Sequence, residues 1–554
     1  MTEPFVQEPP WLGNVYADDA FLRSYLRRKL PSDVLEAIEP DLQELGKLSG
    51  GELYALQLAD RLNEPELTQW DAWGNRIDQV IVSPLWRRAA EIAAQKGLVA
   101  IPYEQAHGRY SRIHQFAAVY LFHPSSDVYT CPLAMTDGAA RTLIAAQDHA
   151  LIKRALPRLT NRDPAQAWTS GQWMTEAVGG SDVGASTTRA LEQDGSWRLY
   201  GKKWFTSAVT ANMALTLARP EGNRTGGAGL AMFYVEVRDQ SGGLNGLRIE
   251  RLKDKLGTRK VPTAELTLDG AIARLVGEPR NGTQRIEPML VVTRTWNSVT
   301  SVSFMRRALT LARSYAARRR AFGARLEQLS LHVDTLADLE AETRAAFLLA
   351  FELVELMGRF EAKEIGDDQR ALLRLITPIA KLLTAKQAVK AVSECIEAFG
   401  GAGYVEDTGL PMLMRDAQVL PIWEGTTNVL SLDLILRSEL GRALPALRAR
   451  IESCVGQVRD QLLAACGKQA LSALAHAEEF IRRQPDSRLL QANARRFAMT
   501  LGRALQLALL TEHGHWELEN SGSRTGVAAA VRFAAKPVDV LVEFDPKDAE
   551  SLLG

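Results

Sequence analysis

The stretch "IEAFGGAGYVEDTGLPMLMRDAQVLPIWEGTTNVL", residues 396–430, carries two kinds of signal. Its start closes a helical pattern, "ALLRLITPIAKLLTAKQAVKAVSECIEAFGG", in which Gly400 and Gly401 can take the left-handed conformation that satisfies the last carbonyls of a helix. Its end places a single carboxylate, Glu424, between Trp423 and Gly425. Trp423 and the preceding "VLPI" are expected to keep water from that carboxylate, which raises a carboxyl pKa toward the range of a general base. Gly425 permits close approach of backbone and ligand. Thr426, Thr427 and Asn428 supply hydroxyl and amide groups of the kind that bind a polar cofactor. A lone glutamate beside an aromatic side chain is ordinarily solvated or paired, so the reading of Glu424 depends on the rest of the chain.

Outward from this stretch, "HVDTLADLEAETRAAFLLAFELVELMGRF" adds a second long helical pattern. Helices of that length in tandem pack as an antiparallel bundle, which assigns residues 284–440 to a helical bundle domain containing Glu424. Residues 172–283 differ: "SWRLYGKKWFTSA", "LAMFYVEV" and "TAELTLDGAI" are short, β-branched or aromatic, and set between Gly-rich turns, predicting a β domain. Residues 1–171 predict an N-terminal helical domain, as where Leu85, Ala89, Ile92 and Ala93 recur on one helix side. Residues 441–554 read as a further helical domain whose last segment, "VDVLVEFDPKDAESLLG", is left unassigned. The expected class is α+β, mainly α, with several cores in a chain of 554 residues.

Lys plus Arg and Asp plus Glu number 66 each, so no long-range field draws in nucleic acid or an anionic membrane. No apolar run is long enough to span a bilayer, and "MTEPFVQEPPWLGN" has neither the basic start nor the apolar run of a secretory signal. Cys131, Cys395, Cys454 and Cys466 show no metal-ligand spacing and read as reduced, mostly buried thiols. A cytoplasmic, non-membrane protein is expected. His513 and His515 in "TEHGHWELEN" lack a third ligand, so no metal is assigned and an exposed polar loop is expected there.

Five motifs in order give the resemblance. "WMTEAVGGSDVGASTTRA" (173–190), "YGKKWFTSA" (200–208), "RRRAFGARL" (318–326), the long closing stretch and the Glu-Gly-Thr segment within it resemble the signatures of the flavin-dependent acyl-CoA dehydrogenases, and "RIERLKDKLGTRKVP" (248–262), with "IWEG" and the terminal extensions, resembles the AidB-like branch. The resemblance implies that fold, an FAD cofactor, an acyl-CoA or related thioester substrate, and a homotetramer built as a dimer of dimers; it leaves the electron-transfer acceptor open. It implies that Glu424 removes the α-proton while the β-hydrogen leaves as hydride to flavin N5. Met174 and Thr175 match positions along the isoalloxazine edge, Trp204 and Thr206 positions on the ring, and Ser181 a position at the pyrophosphate and substrate. Arg319 and Phe322 match residues that reach the cofactor of a neighbouring subunit, Gly400 and Gly401 a pair beside the adenosine, and Thr426 and Asn428 positions near the ribityl and phosphate groups. Arg294 and Gly425 match the substrate side. Thr293 stands where other branches place the base, and threonine takes no proton at neutral pH. Ala177, Glu397 and Trp423 depart from the usual proline, glutamine and tyrosine; the indole of Trp423 is expected to narrow the acyl pocket.

The resemblance to AidB also implies an alternative, a flavoprotein of an alkylation or stress response with weak chemistry that binds DNA. Residues 441–554 hold 15 basic and 13 acidic side chains. Arg482, Arg483, Arg488, Arg495, Arg496 and Arg503 gather within one segment, and seven-residue spacing places Arg488 with Arg495, and Arg496 with Arg503, on one helix side. Such a stripe neutralises phosphates, or pairs with acids on adjacent helices.

Overall fold

A computed structural model of the chain describes residues 6–239, 242–483 and 485–554. The first five residues of the N-terminal stretch and Gln484 of the arginine-rich segment lie outside the described residues. Contacts group the chain into two units: Met1–Gly51, His107–Leu121 and Asn297–Gly554 in one, Glu52–Ala106 and Phe122–Trp296 in the other.

The second unit centres on a sheet of seven strands: β3 (Ser170–Trp173), β4 (Arg189–Gln193), β5 (Ser196–Thr206), β6 (Met213–Pro220), β7 (Ala231–Glu236), β8 (Leu247–Leu252) and β9 (Ala264–Leu275). β4 pairs with β5, β5 with β9, β9 with β7, β7 with β6 and β6 again with β4, so five strands close on themselves; β3 adds to β6 and β8 to β9. β6 and β7 are buried along nearly their whole length, as their continuous apolar runs require, whereas β8 and β9 alternate and face solvent on one side. Gly270, at φ +80°, is the extra residue where the β5–β9 register slips, a conformation suited to glycine.

The helical expectation for residues 1–171 omits a hairpin, β1 (Glu66–Trp70) with β2 (Arg76–Ile81). β1 alternates between exposed and half-buried and β2 is mostly half-buried or exposed, too weakly apolar to read as strands, and the Asp71 carboxylate shapes the turn by accepting from the Trp73 and Asn75 N–H groups. The hairpin docks on β8: Gln69 and Arg76 donate to the Ile249 carbonyl, and Asp78 accepts the Ile249 N–H at 2.9 Å. The helix Pro84–Gln95 buries Leu85, Ala89, Ile92 and Ala93 as its spacing predicts.

In the first unit the two long patterns form helices Ser330–Glu361 and Asp367–Glu397. Phe347 and Phe351 stack at 4.2 Å between centroids, and Tyr25 and Tyr120 meet them edge-on, geometry that adds to simple area burial. The C-terminal helices Gln461–Arg482, Ser487–Ser521 and Thr525–Ala534 belong to the same unit. Gly502 lets the second of these approach Asp367–Glu397 closely: a Cβ there would lie 2.7 Å from Leu383. The unassigned terminal segment ends in helix Pro546–Leu553. The exposed loop expected around His513 is corrected: Ser487–Ser521 continues through it, with His513 1% exposed against Ser24, Arg28 and Glu517. Apolar Phe21 and a run of helix formers outweigh the polar look of "TEHGHWELEN". All four cysteines are buried and none forms a disulfide. Among the described residues no helix is long and apolar enough to cross a membrane.

Candidate active site

In the β unit, the segment after β3 is tied to β5 at successive residues. The Trp204 N–H donates to the Thr175 carbonyl at 2.9 Å, and Lys203 Nζ donates to the Glu176 carboxylate at 2.9 Å and to the Leu217 carbonyl. Glu176 also accepts from the Thr187 N–H and from both the Thr187 and Thr188 hydroxyls. Burial pushes the Glu176 carboxyl up, but the Lys203 charge and these hydrogen bonds outweigh it and hold the group at about 2. Burial pulls Lys203 down, with Glu176 opposing. Gly179 at φ +128° closes the turn back on Glu176, and Gly180 leaves room for the Thr175 hydroxyl.

This arrangement brings Met174, Thr175 and Trp204 together and leaves each half-buried, with Ser181 exposed at the end of the loop. Trp204 carries the Lys253 ammonium 3.5 Å from its ring centroid. Thr206 is fully buried, and its hydroxyl donates to the Ala264 carbonyl at 2.6 Å.

In the helical unit, Glu424 and Gly425 form a turn with φ +56° and +102°. A glutamate in that region is uncommon and is held there by its surroundings. Lys381, fully buried on helix Asp367–Glu397, donates Nζ to the Gly425 carbonyl at 2.7 Å. Trp423 donates its indole N–H to Asn297 Oδ1. The seal expected from "VLPI" is incomplete within this unit: Leu420 is buried, Ile422 is 61% exposed, and Trp423 and Glu424 are half-buried. The segment is a succession of turns, so its apolar side chains share no common face.

Thr426 caps helix Thr427–Arg437 without using its side chain, and it and Asn428 are exposed at that helix N-terminus, where backbone N–H groups and the helix dipole favour a phosphate. Gly400 takes φ +60°, and Gly400 and Gly401 have open space where a Cβ would stand. Gly403 is the packed member of the group, its Cβ position 2.1 Å from the Ile396 carbonyl. Arg294 is half-buried, and Thr293 is buried with its hydroxyl directed at the Leu290 carbonyl.

"RRRAFGARL" forms a two-stranded hairpin, β10 (Arg320–Ala321) with β11 (Ala324–Arg325). Phe322 and Gly323 fill its two-residue turn at φ +51° and +80°, the geometry of a tight hairpin turn. Phe322 is 95% exposed; Arg319, at the base, is half-buried and contacts Gln7.

The C-terminal arginines are largely engaged within their own unit. Arg482 pairs with Glu479, Arg483 with Glu543 and Arg488 with Glu550; Arg496 lies over Phe544; Arg503 lies over Phe533 and donates to the Pro537 carbonyl. Arg495 is exposed. A cavity of about 750 Å³ in this unit is lined by Glu352, Glu355, Arg359, Asp368, Arg442 and Arg450 among others, and none of the expected site residues lines it.

Three residues that position the site escaped the sequence reading. Glu176 and Lys203 stood inside the quoted motifs, and the fixed place of an acid in one and a lysine in the other was the available signal. Lys381 had a weaker one, a lone cation in the apolar run "LITPIAKLL".

Residues 7–164 match the adaptive response protein AidB N-terminal domain, 171–271 the acyl-CoA dehydrogenase middle domain, 280–440 the acyl-CoA dehydrogenase C-terminal domain, and 442–551 the acyl-CoA dehydrogenase 11 C-terminal domain-like family. The chain is 45% identical to acyl-CoA dehydrogenase family member 11 of Caenorhabditis elegans over 531 residues, 92% of this chain and 86% of that one. It is 33% identical to AidB of Escherichia coli (strain K12) over 76% of this chain and 77% of the other. The crystal structure of Caenorhabditis elegans ACDH-11 in complex with C11-CoA superposes with a TM-score of 0.94 at 42% identity, covering 100% of this chain and 96% of that one.

Proposed function

Because the chain belongs to the acyl-CoA dehydrogenase superfamily, in its AidB-like branch, we propose that it dehydrogenates an acyl-CoA thioester between the α- and β-carbons, with Glu424 as the base for the α-proton. The observation that carries this is the Glu424–Gly425 turn, a strained left-handed acid pinned by a buried lysine; strain of this kind persists where function requires it. Lys381 holds the Gly425 carbonyl and so fixes the direction in which the carboxylate leaves the turn. The backbone N–H of Glu424 is the proposed donor to the thioester carbonyl, stabilising the charge that grows there as the α-proton leaves. A medium-length acyl group suits the relative crystallised with C11-CoA.

Members of the family are flavoproteins, and residues of each unit taken by itself suit FAD: in the β unit an anchored loop bearing Met174, Thr175 and Ser181 with the half-buried Trp204, and in the helical unit open glycines at 400 and 401 and a helix N-terminus at Thr426 and Asn428 whose cap hydroxyl is unused. When bound, FAD would supply the acceptor for the β-hydrogen, which leaves as hydride. Exposed, apolar Phe322 beside Arg319 supports a site completed by a second copy, in a homotetramer. Residues 172–283 serve as the flavin-facing domain and 284–440 as the domain that carries the base. The DNA-binding alternative is disfavoured because Arg482, Arg483, Arg488, Arg496 and Arg503 already contact groups of their own chain.

The test is the absorbance of FAD-loaded protein on addition of acyl-CoA thioesters of graded length. Loss of the oxidised-flavin band is expected in the native protein and not in Glu424→Gln; bleaching of both at the same rate removes Glu424 from the chemistry.

A further inference from the structure

We infer that Asn297 determines specificity for the acyl group, and that the site takes a thioester whose chain carries an oxygen acceptor beyond the β-carbon; this rests on Glu424 acting as the base. Asn297 is 3% exposed on helix Glu287–Ala316 and belongs to the same unit as Glu424. Its Oδ1 accepts the indole N–H of Trp423, the residue before the base. An indole nitrogen only donates, so the contact settles the amide orientation: oxygen toward Trp423, nitrogen away from it. That Nδ2 is buried and has no hydrogen-bond partner among the described residues.

The rest of this helix shows how unusual that is. Thr295 donates to the Val291 carbonyl, Thr300 and Ser301 to the Asn297 carbonyl, and Ser303 to the Tyr120 carbonyl. A row of buried polar side chains is satisfied, and the amide nearest the catalytic turn keeps a donor in reserve. Buried donors left unpaired are costly and rare.

For proton transfer the thioester α-carbon must come within reach of the Glu424 carboxylate. In the pose this inference requires, the acyl carbons that follow pass the neighbouring side chain, Trp423, whose indole N–H is held by Asn297. A plain methylene chain leaves Nδ2 dry and unpaired; an ether, hydroxyl or oxo oxygen at that depth accepts from it. A site built to hydrogen-bond a substrate atom rejects the analogue lacking it more strongly than an apolar wall distinguishes one methylene from two.

The experiment uses pairs of medium-length acyl-CoA thioesters identical except that an ether oxygen replaces one methylene, moved stepwise along the chain beyond the β-carbon. Each pair is compared on the FAD-loaded protein by kcat/KM and, in Glu424→Gln protein, by Kd from titration calorimetry, which needs no turnover. At one ether position a preference of about 10-fold or more is expected in both readouts. The double variant Asn297→Leu with Trp423→Phe removes both partners without orphaning the indole donor and is expected to abolish the preference. Asn297→Asp keeps an oxygen for Trp423, replaces the donor by a second oxygen, and is expected to reverse it. Equal kcat/KM and equal Kd in every pair overturn the inference while the base assignment stands. A preference that survives in the double variant overturns the role of Asn297. Failure of every thioester to bind or bleach overturns the base assignment and the inference together.

Discussion

The loop Met174–Ser181 in the β unit is fixed by an ion pair whose acid accepts five different donors, whereas the Glu424–Gly425 turn in the helical unit is held through its neighbours by Lys381 and Asn297 and leaves its acid half-exposed. Both hold an acid in place beside residues of the candidate site. The saturated one, at about 2, has no proton-accepting capacity in the neutral range. In the other, the polar contacts that fix the turn act on Gly425 and Trp423. The same type of side chain thus serves as an anchor in one unit and, under the proposed function, as a base in the other.

The sharpest way to break the comparison is to neutralise each acid in turn. Glu424→Gln is expected to slow the thioester-dependent loss of flavin absorbance by about 10³-fold, with the melting temperature and flavin content close to native. Glu176→Gln or Lys203→Met should do the reverse: about 3–5 kcal/mol of stability lost, because either leaves a buried charge or its donors without a partner, followed in denaturant unfolding. Replacing both by Met should recover most of that loss. A double variant no better than the singles would mean that the pair does not act as a unit.

How legible this contrast is from sequence depends on what each residue's partner is. Glu424 was readable because its neighbours in sequence, Trp423 and Gly425, are also its structural context. The strands Ser196–Thr206, Ala231–Glu236 and Ala264–Leu275 and the two long helices were readable because their period is local. Lys381 and Asn297 act across 44 and 126 residues of chain, and no local pattern announces such pairings. The hairpin at Glu66–Ile81 was missed for a related reason: its strands are held by β8, far along the chain, more than by their own hydrophobicity. Thr206 shows the converse, a motif residue whose hydroxyl goes to a strand neighbour that composition does not reveal.

A smaller effect is expected where the turn is loosened and its acid kept. Lys381→Met leaves the Gly425 carbonyl without its buried donor, at about 1–3 kcal/mol. Because Glu424 remains chemically intact, the change should appear mainly as a fall in kcat of about 10- to 100-fold with a lesser change in KM. Equal changes in both would make Lys381 a contributor to stability alone.

The least effect, and the finest test, lies inside the β unit, where a second buried acid lacks what Glu176 has. Asp127 sits at φ +47° with Oδ1 accepting from Gln57 at 2.8 Å, but Oδ2 has no hydrogen bond and lies 4.0 Å from Lys260 Nζ. Burial pushes this carboxyl up to about 6, against the pull of Gln57 and Lys260. The folded value therefore stands above the ordinary 3.8, so the protonated group contributes stability below pH 3.8 that is lost as pH rises through about 6. Glu176 has the opposite sign: its contribution is present above 4.5 and is lost as pH falls through about 2. Asp127→Asn should accordingly remove the decline between pH 4 and 6 and raise stability at neutral pH by about 1–2 kcal/mol, while the acid limb governed by Glu176 stays in place. Unfolding free energies measured across that range in the native and Asp127→Asn proteins separate the two acids, since an unchanged slope between pH 4 and 6 would show that Lys260 pairs with Asp127 as fully as Lys203 does with Glu176.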